Sequence, residues 1–180
     1  VLRSKVEIRY EIIRGTLKEL PIQLPDQAVL YKVSGEGIED WRTFAATDTE
    51  PRQARIFLGN EREGTYRLEL ELEQVAPQTV GQPLDIPIVR PLGAAREMGV
   101  VALFDGDKVG FADALTAGYV KSGEDALPID VRQKLAGDIV SQAFKHIGAP
   151  AAMKSQVAAA KTRETRFDAA IESLYTFQQN

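Results

Sequence analysis

The chain has 180 residues, 44% of them hydrophobic and 27% charged, with a formal net charge of −4; this is the composition of a globular protein with one domain or two small ones, not of a disordered tail. The acidic balance offers no basic field to hold a phosphate backbone, which argues against nucleic acid as a partner, and no apolar run is long enough to cross a bilayer. The absence of cysteine excludes a disulfide framework, a thiolate nucleophile and a sulfur-ligated metal, while leaving the compartment open.

The opening VLRSKVEIRY carries neither an initiator Met nor a signal peptide, so the chain reads as a processed or excised piece of something longer. Within KVEIRYEIIRG, the residues Val6, Ile8, Tyr10 and Ile12 fall on a period of two, the mark of a half-buried strand, and Gly15 then permits a turn. TLKELPIQLP repeats the alternation with Leu20, Ile22 and Leu24, while Pro21 and Pro25 suggest an edge position or a strand end. AVLYKVSG and GIEDWRTFAA, parted by Gly35 and Gly37, complete an expected four-stranded meander. QARIFLG and GTYRLELELEQ make two more strands, joined by the polar NERE. RGTLKELPIQLP and EGTYRLELELEQ both set Gly-Thr before alternating apolar residues, forty-nine positions apart, a pattern open to a duplicated strand-pair unit or to chance.

From Val75 to Pro91 four prolines, Pro77, Pro83, Pro87 and Pro91, mark an extended connection that crosses from one sheet to another. GVVALFDGDKVGFADA reads as a hairpin about an Asp-Gly turn. LPIDVRQKLAG is the best local helix, with Pro128 near its first turn, Asp130 early and Gly137 as a stop. The Ala-rich QVAAAKTRETRFDAAIESLYTF places Val157, Ala160, Glu164, Phe167, Ile171 and Leu174 near one helical face. Phe167, Ala169, Ile171, Ser173, Tyr175 and Phe177 also alternate as a strand would, so 157–178 is open to either state.

Few residues are placed for chemistry. In a strand Glu69, Glu71 and Glu73 share one face, spaced about 7 Å apart, with Leu68, Leu70 and Leu72 on the other. Calcium needs oxygens converging on a point, so the stripe reads as a solvated face paired with cations on neighbours such as Arg55. DGDKVGFADALT begins like a calcium-binding loop at Asp105, Asp107 and Gly110, but Val109 and Thr116 occupy positions that should hold oxygen ligands. His146 is the only histidine; no triad spacing involves Ser141 or Ser155, and it reads as a partly exposed sheet residue. SGEGIEDW has Asp40 where a dinucleotide fingerprint needs its third glycine, and reads as a turn. Tyr31, Trp41 and Phe44 form the one candidate ligand-binding group, because aromatic clusters on sheets hold sugar rings; burial in the core is the competing role for Trp41. No catalytic residue, metal or cofactor is expected.

RYEIIRGTLKELPIQLPDQAVLYKVSGEGIEDWR, GTYRLELELE, PIVRPLGAAREMGVVAL, LPIDVRQKLAG and QAFKHIGAPAAMKSQV, in that order, resemble large, poorly characterised bacterial envelope proteins built of long β-strands. The resemblance covers most of the chain, rests on structural motifs and lends no site residue to any position. It implies a strand for RFDAAIESLYTF and a location in the bacterial periplasm or cell envelope. The expected fold is mainly β, an antiparallel β-sandwich or extended sheet arrangement with one short helix near 128–136. Its parts are an N-terminal meander at 1–76, a Pro/Gly-rich connection at 77–98 and a second β-rich part at 99–180. The expected role is a non-enzymatic structural or protein-interaction module of a larger protein, with flanking domains or another protein as partner. The alternative is a glycan- or lipid-binding module.

Overall fold

The computed structural model describes residues 1–77, 79–105, 109–112, 114–116, 118–134, 140–149, 152–159 and 169–177. Gly106, Asp107, Gly137, Ala160, Glu164 and Phe167, which figure in the sequence reading, lie outside them. Two strands of 22 residues, β1 (Leu2–Gln23) and β4 (Gln53–Gln74), pair antiparallel along nearly their whole length. Each was expected as two separate strands. Gly15 and Gly64, at φ 75° and 68°, redirect the chain without ending it, in a conformation that side chains with a Cβ rarely adopt.

Strands β2 (Ala28–Gly35) and β3 (Ile38–Phe44) both run along β4, so the expected meander does not form. Their register shows how far β4 bends. Gly35 pairs with Leu68 and Ile38 with Leu58, so ten residues of β4 are spanned by three of the β2–β3 path, about 10 Å against about 33 Å for a straight strand. The β1–β4 ribbon therefore folds over, and its middle, 13–15 and 59–61, is exposed. Arg52 secures the far end by donating to the carbonyl oxygens of Pro25 and Ala28.

The Gly-Thr twins belong to this geometry. Residues after Gly64 pair with Leu2–Ile12, and residues after Gly15 pair with strand positions before Gly64, so the two halves are exchanged by an approximate two-fold in the ladder. Even-numbered residues of both strands face inward on either side of the fold: Val6, Ile8 and Tyr10 with Leu68 and Leu70, and Leu20 and Ile22 with Ile56 and Leu58. These belong to one apolar cluster.

Alternation also builds β7 (Arg96–Phe104), β10 (Tyr119–Ser122), β11 (Val140–Ile147) and β13 (Ala169–Phe177) into the same sheet, in the order β10-β11-β7-β13-β1-β4-β2. Residues 169–177 are thus a strand. It pairs parallel with β1, whereas the other ladders among the described residues are antiparallel. A smaller sheet of β5 (Pro83–Ile86), β8 (Val109–Phe111), β9 (Leu115–Thr116) and β12 (Met153–Ala159) adds Leu84, Ile86, Phe111, Met153 and Val157 to the core. The Pro-rich connection visits this sheet through β5 and returns through β6 (Arg90–Pro91), which pairs with β1. The 1–76 and 99–180 parts thus share one main sheet and one core.

Among the described residues, the strands on either side of Asp105 do not pair as the expected hairpin. β7 is paired on both edges, by β11 and β13, so β8 pairs with β12 in the other sheet. The Asp105 carboxylate instead accepts a hydrogen bond from the Phe111 amide at 3.1 Å, tying the crossing between sheets. The expected short helix is α1 (Ile129–Lys134), within 128–136. Preceded by a 3₁₀ turn at Glu124–Ala126, it lies on the outer side of β7, where Leu127 and Val131 pack with Ala102 and Phe104. The 101–104 end of β7 is consequently buried on both faces, with Val101 and Leu103 in the main core.

Candidate functional site

The glutamate stripe is a structural face. On the outer side of β1 and β4, Glu73 pairs with Arg3 at 2.9 Å and Glu71 with Lys32 at 2.6 Å. Tyr31 donates to Glu71 at 2.7 Å. The hydrogen bonds from Lys32 and Tyr31 hold the Glu71 carboxyl below its usual range. The same bond pushes the Tyr31 phenol up to about 12. Arg55, expected to serve this stripe, lies on the other half of β4 and pairs with Glu19 and Glu50. Among the described residues no group of acids and histidines could hold a metal ion.

Beside the stripe stands a four-membered ion network. The register sets Arg9 directly opposite Arg67, a repulsive placement that needs compensating anions. Glu7, 8% exposed, supplies one: its carboxylate accepts from Arg9 at 3.1 Å and lies 3.0 Å from Arg67. Asp130 of α1 supplies the other, accepting from Arg9 and, at 2.9 Å, from Arg67. Desolvation opposes ionisation of Asp130, but the two guanidinium groups prevail and hold its pKa down. Sequence reading assigned Asp130 to a helix start; its partners are 121 and 63 positions away.

The proposed aromatic group does not form one surface. Trp41 pairs with Ile56, whose side chain is fully buried, and packs half-buried against the core. Phe44, three positions on, faces the opposite way and is exposed beneath the Arg55 guanidinium, 5.2 Å from its ring centroid. Tyr31 is exposed on β2, held by Glu71. The edges are guarded rather than open: β10 has four residues, and β2 and β3 carry register shifts and the charges Lys32, Glu39, Asp40 and Arg42.

His146 is buried, at 4% exposure, not partly exposed as expected, because it faces inward from β11 opposite Gly99. Its Nδ1 lies 3.1 Å from the Gly148 carbonyl oxygen and its ring meets that of Tyr119 edge-on at 5.6 Å. Nearby, Arg90 holds Glu97 through two hydrogen bonds of 2.8 and 3.3 Å. Burial lowers the His146 pKa and raises that of Tyr119 to about 12. The ring stays neutral at neutral pH. Neither Ser141 nor Ser155 is among its hydrogen-bond partners: Ser155 donates to the Ala112 carbonyl at 2.8 Å.

The outer face of β7 and β11 is built differently. α1 and the turn before it cover Ala102 and Phe104; Val100, half-buried, packs at the edge of that cluster, and the half-buried Met98 lies beyond it on the same outward row. With Gly99, Pro128, Lys145 and Ile147, Val100 and Met98 line an open groove of about 370 Å³, flanked by Arg9. Ile147 is 79% exposed, and Ile129 and Val120 are also exposed. Sequence inspection missed this surface, since its parts come from three separated segments; the signal present was an isoleucine on the polar side of an alternating strand. A second cleft of about 420 Å³ lies between the turn at Pro25–Gln27 and β5 and β12, bordered by Gln23, Gln74 and Asp85. Gln74 is committed there, donating to the Asp85 carbonyl at 3.0 Å.

No family model, curated protein or solved structure matches this chain.

Proposed function

We propose that this chain is a non-enzymatic protein-interaction module, part of a larger bacterial envelope protein, and that it binds through the groove on the outer face of β7 and β11. One observation carries the reading: the groove is lined by apolar side chains, with Ile147 strongly exposed and Met98, Val100 and Pro128 half-buried, while the prominent charges of the neighbouring face are matched within the chain. Covering such a surface releases roughly 25 cal/mol per Å² of apolar area, and apolar surface rimmed by polar groups is the form that docking sites take. The envelope assignment draws on the resemblance to long-stranded envelope proteins alone. Glycan binding through Tyr31, Trp41 and Phe44 is the weaker reading, because these residues face different ways.

Photo-crosslinking tests the proposal. A benzoylphenylalanine placed at position 147 should give a discrete protein adduct in the native cell extract, and Val100→Asp should abolish it. The same probe at Val75, also strongly exposed, serves as the control. Equal labelling from both positions would sink the interaction reading.

A further inference from the structure

We infer that the groove on β7 and β11 takes an aliphatic and acidic peptide segment of the partner protein; the inference rests on the interaction reading and names the chemistry of the ligand.

What the same face already holds is the first support. The segment Leu127–Val131 inserts its two aliphatic ends against Ala102 and Phe104, while its Asp130 carboxylate enters the Arg9 and Arg67 guanidinium pair. Two aliphatic side chains and one carboxylate within a short segment are therefore the chemistry that this face selects from its own chain. The adjoining part of the face, half-buried at Val100 and Met98 and exposed at Ile147, extends that surface. Val100 and Met98 continue the outward row of Ala102 and Phe104, and Lys145 supplies the cation.

Charge is the second support. Lys145 stands between Val100 and Val120 in the ladder, two positions from the exposed Ile147. It makes no ion pair among the described residues, and none of the described residues lining the groove is a carboxylate. An ammonium framed by aliphatic groups favours a ligand that can cover those groups while bringing a negative charge to the nitrogen. Arg9 is already engaged by Glu7 and Asp130 and adds to the positive field without competing for the ligand. The groove is open along the sheet rather than enclosed, which suits side chains from a passing segment better than a buried acyl chain.

The test is fluorescence anisotropy with three fluorescein-labelled peptides of equal length, built of leucine and glutamate, leucine and lysine, or serine and glutamate. The leucine–glutamate peptide should bind at least ~10-fold more tightly than the other two, and Ile147→Ser or Lys145→Glu should each weaken it by ~10-fold or more, about 1.4 kcal/mol. Added salt should weaken it as well. The register sets Glu172 of β13 opposite Val100, so Glu172→Gln should leave binding unchanged or strengthen it; weaker binding would show that the groove reads a cation. Equal affinity for both leucine peptides, lost in Ile147→Ser, would overturn the acidic class and keep the interaction reading. Binding of no peptide, with the crosslink at position 147 intact, would do the same. Both variants alter exposed side chains, and matching thermal midpoints would show that lost binding is not lost folding.

Discussion

Over β1 and β4 the outer face of the sheet is charged and internally matched: Arg3 with Glu73, Lys32 with Glu71, and Arg9 and Arg67 with Glu7 and Asp130. Over β7 and β11 the outer face is apolar, half sealed by α1 and half open around Ile147. Both regions belong to one sheet and share one inner core, so neither is needed to explain why the other folds. The difference lies in what remains to be satisfied from outside. A neutralised ion network asks little of a partner, and exposed pairs add little stability of their own. An apolar groove beside a lysine that makes no ion pair among the described residues still has burial energy to release.

The comparison can be tested by comparing losses of stability with losses of binding. The deepest loss should come from the inner face that both regions share. Leu68 is fully buried, and Leu68→Ala should cost about 2–5 kcal/mol in denaturant unfolding. Next, Glu7→Ala leaves Arg9 and Arg67 facing each other with one carboxylate fewer. Because both guanidinium groups are partly exposed, the expected cost is smaller than for a sealed pair, ~1–3 kcal/mol. Faster amide exchange in α1 should accompany it, since Asp130 anchors the helix to the same network. A loss no larger than that of an ordinary surface substitution would show that the charged face contributes nothing structural.

A smaller effect depends on pH. Burial lowers the folded-state pKa of His146 beneath its ordinary value near 6.5, so the unfolded chain binds the proton more readily. Stability from this group is complete above about pH 6.5 and declines as pH falls towards the folded pKa, with a slope of at most ~1.4 kcal/mol per pH unit for one proton. Glu97 favours the charged ring and Arg90 opposes it, and neither reverses the direction. His146→Gln should flatten the unfolding profile in this window and leave the lower-pH loss from Glu71 and Asp130 in place, since their depressed pKa values act below it. The smallest stability effects are expected at Ile147→Ser and Lys145→Gln, within about 0.5 kcal/mol of the parent, although both remove groove contacts. A large destabilisation by Ile147→Ser would mean that the residue is already covered within the chain.

Much of the strand content was legible. The inward rows of β1 and β4 follow the period of two in KVEIRYEII, PIQL and RLELELE, because alternating burial is a local property of an extended chain. The outward row of the glutamate stripe follows from the same alternation, and two of its members pair with Arg3 and Lys32. Strand partners were much less legible. The Asp-Gly hairpin signal at Asp105 failed because both edges of β7 are taken by distant strands. Gly15 and Gly64 look like turns in sequence, but a single left-handed glycine can bend a strand as well as end it.

The candidate site shows the same division. Tyr31, Trp41 and Phe44 are near one another in sequence, but the odd spacing of Trp41 and Phe44 along an unbroken stretch of β3 turns them to opposite faces, and Tyr31 lies on β2 along the other half of β4. The groove gathers Val100, Pro128, Lys145 and Ile147, and the ion network gathers Glu7, Arg9, Arg67 and Asp130. No local pattern brings these together, since each set draws its four residues from three separate segments. Composition and alternation by themselves determined a mainly β chain, a core of even-numbered aliphatics in β1 and β4 and one short helix near 128–136, found at Ile129–Lys134, because these depend on neighbours within a few residues. Folding the β1–β4 ribbon on itself, inserting β13 parallel to β1, burying His146 and leaving half of one outer face open were decided only by tertiary structure. Those outcomes depend on which distant strand fills each free edge, a choice made by the packing of the whole core.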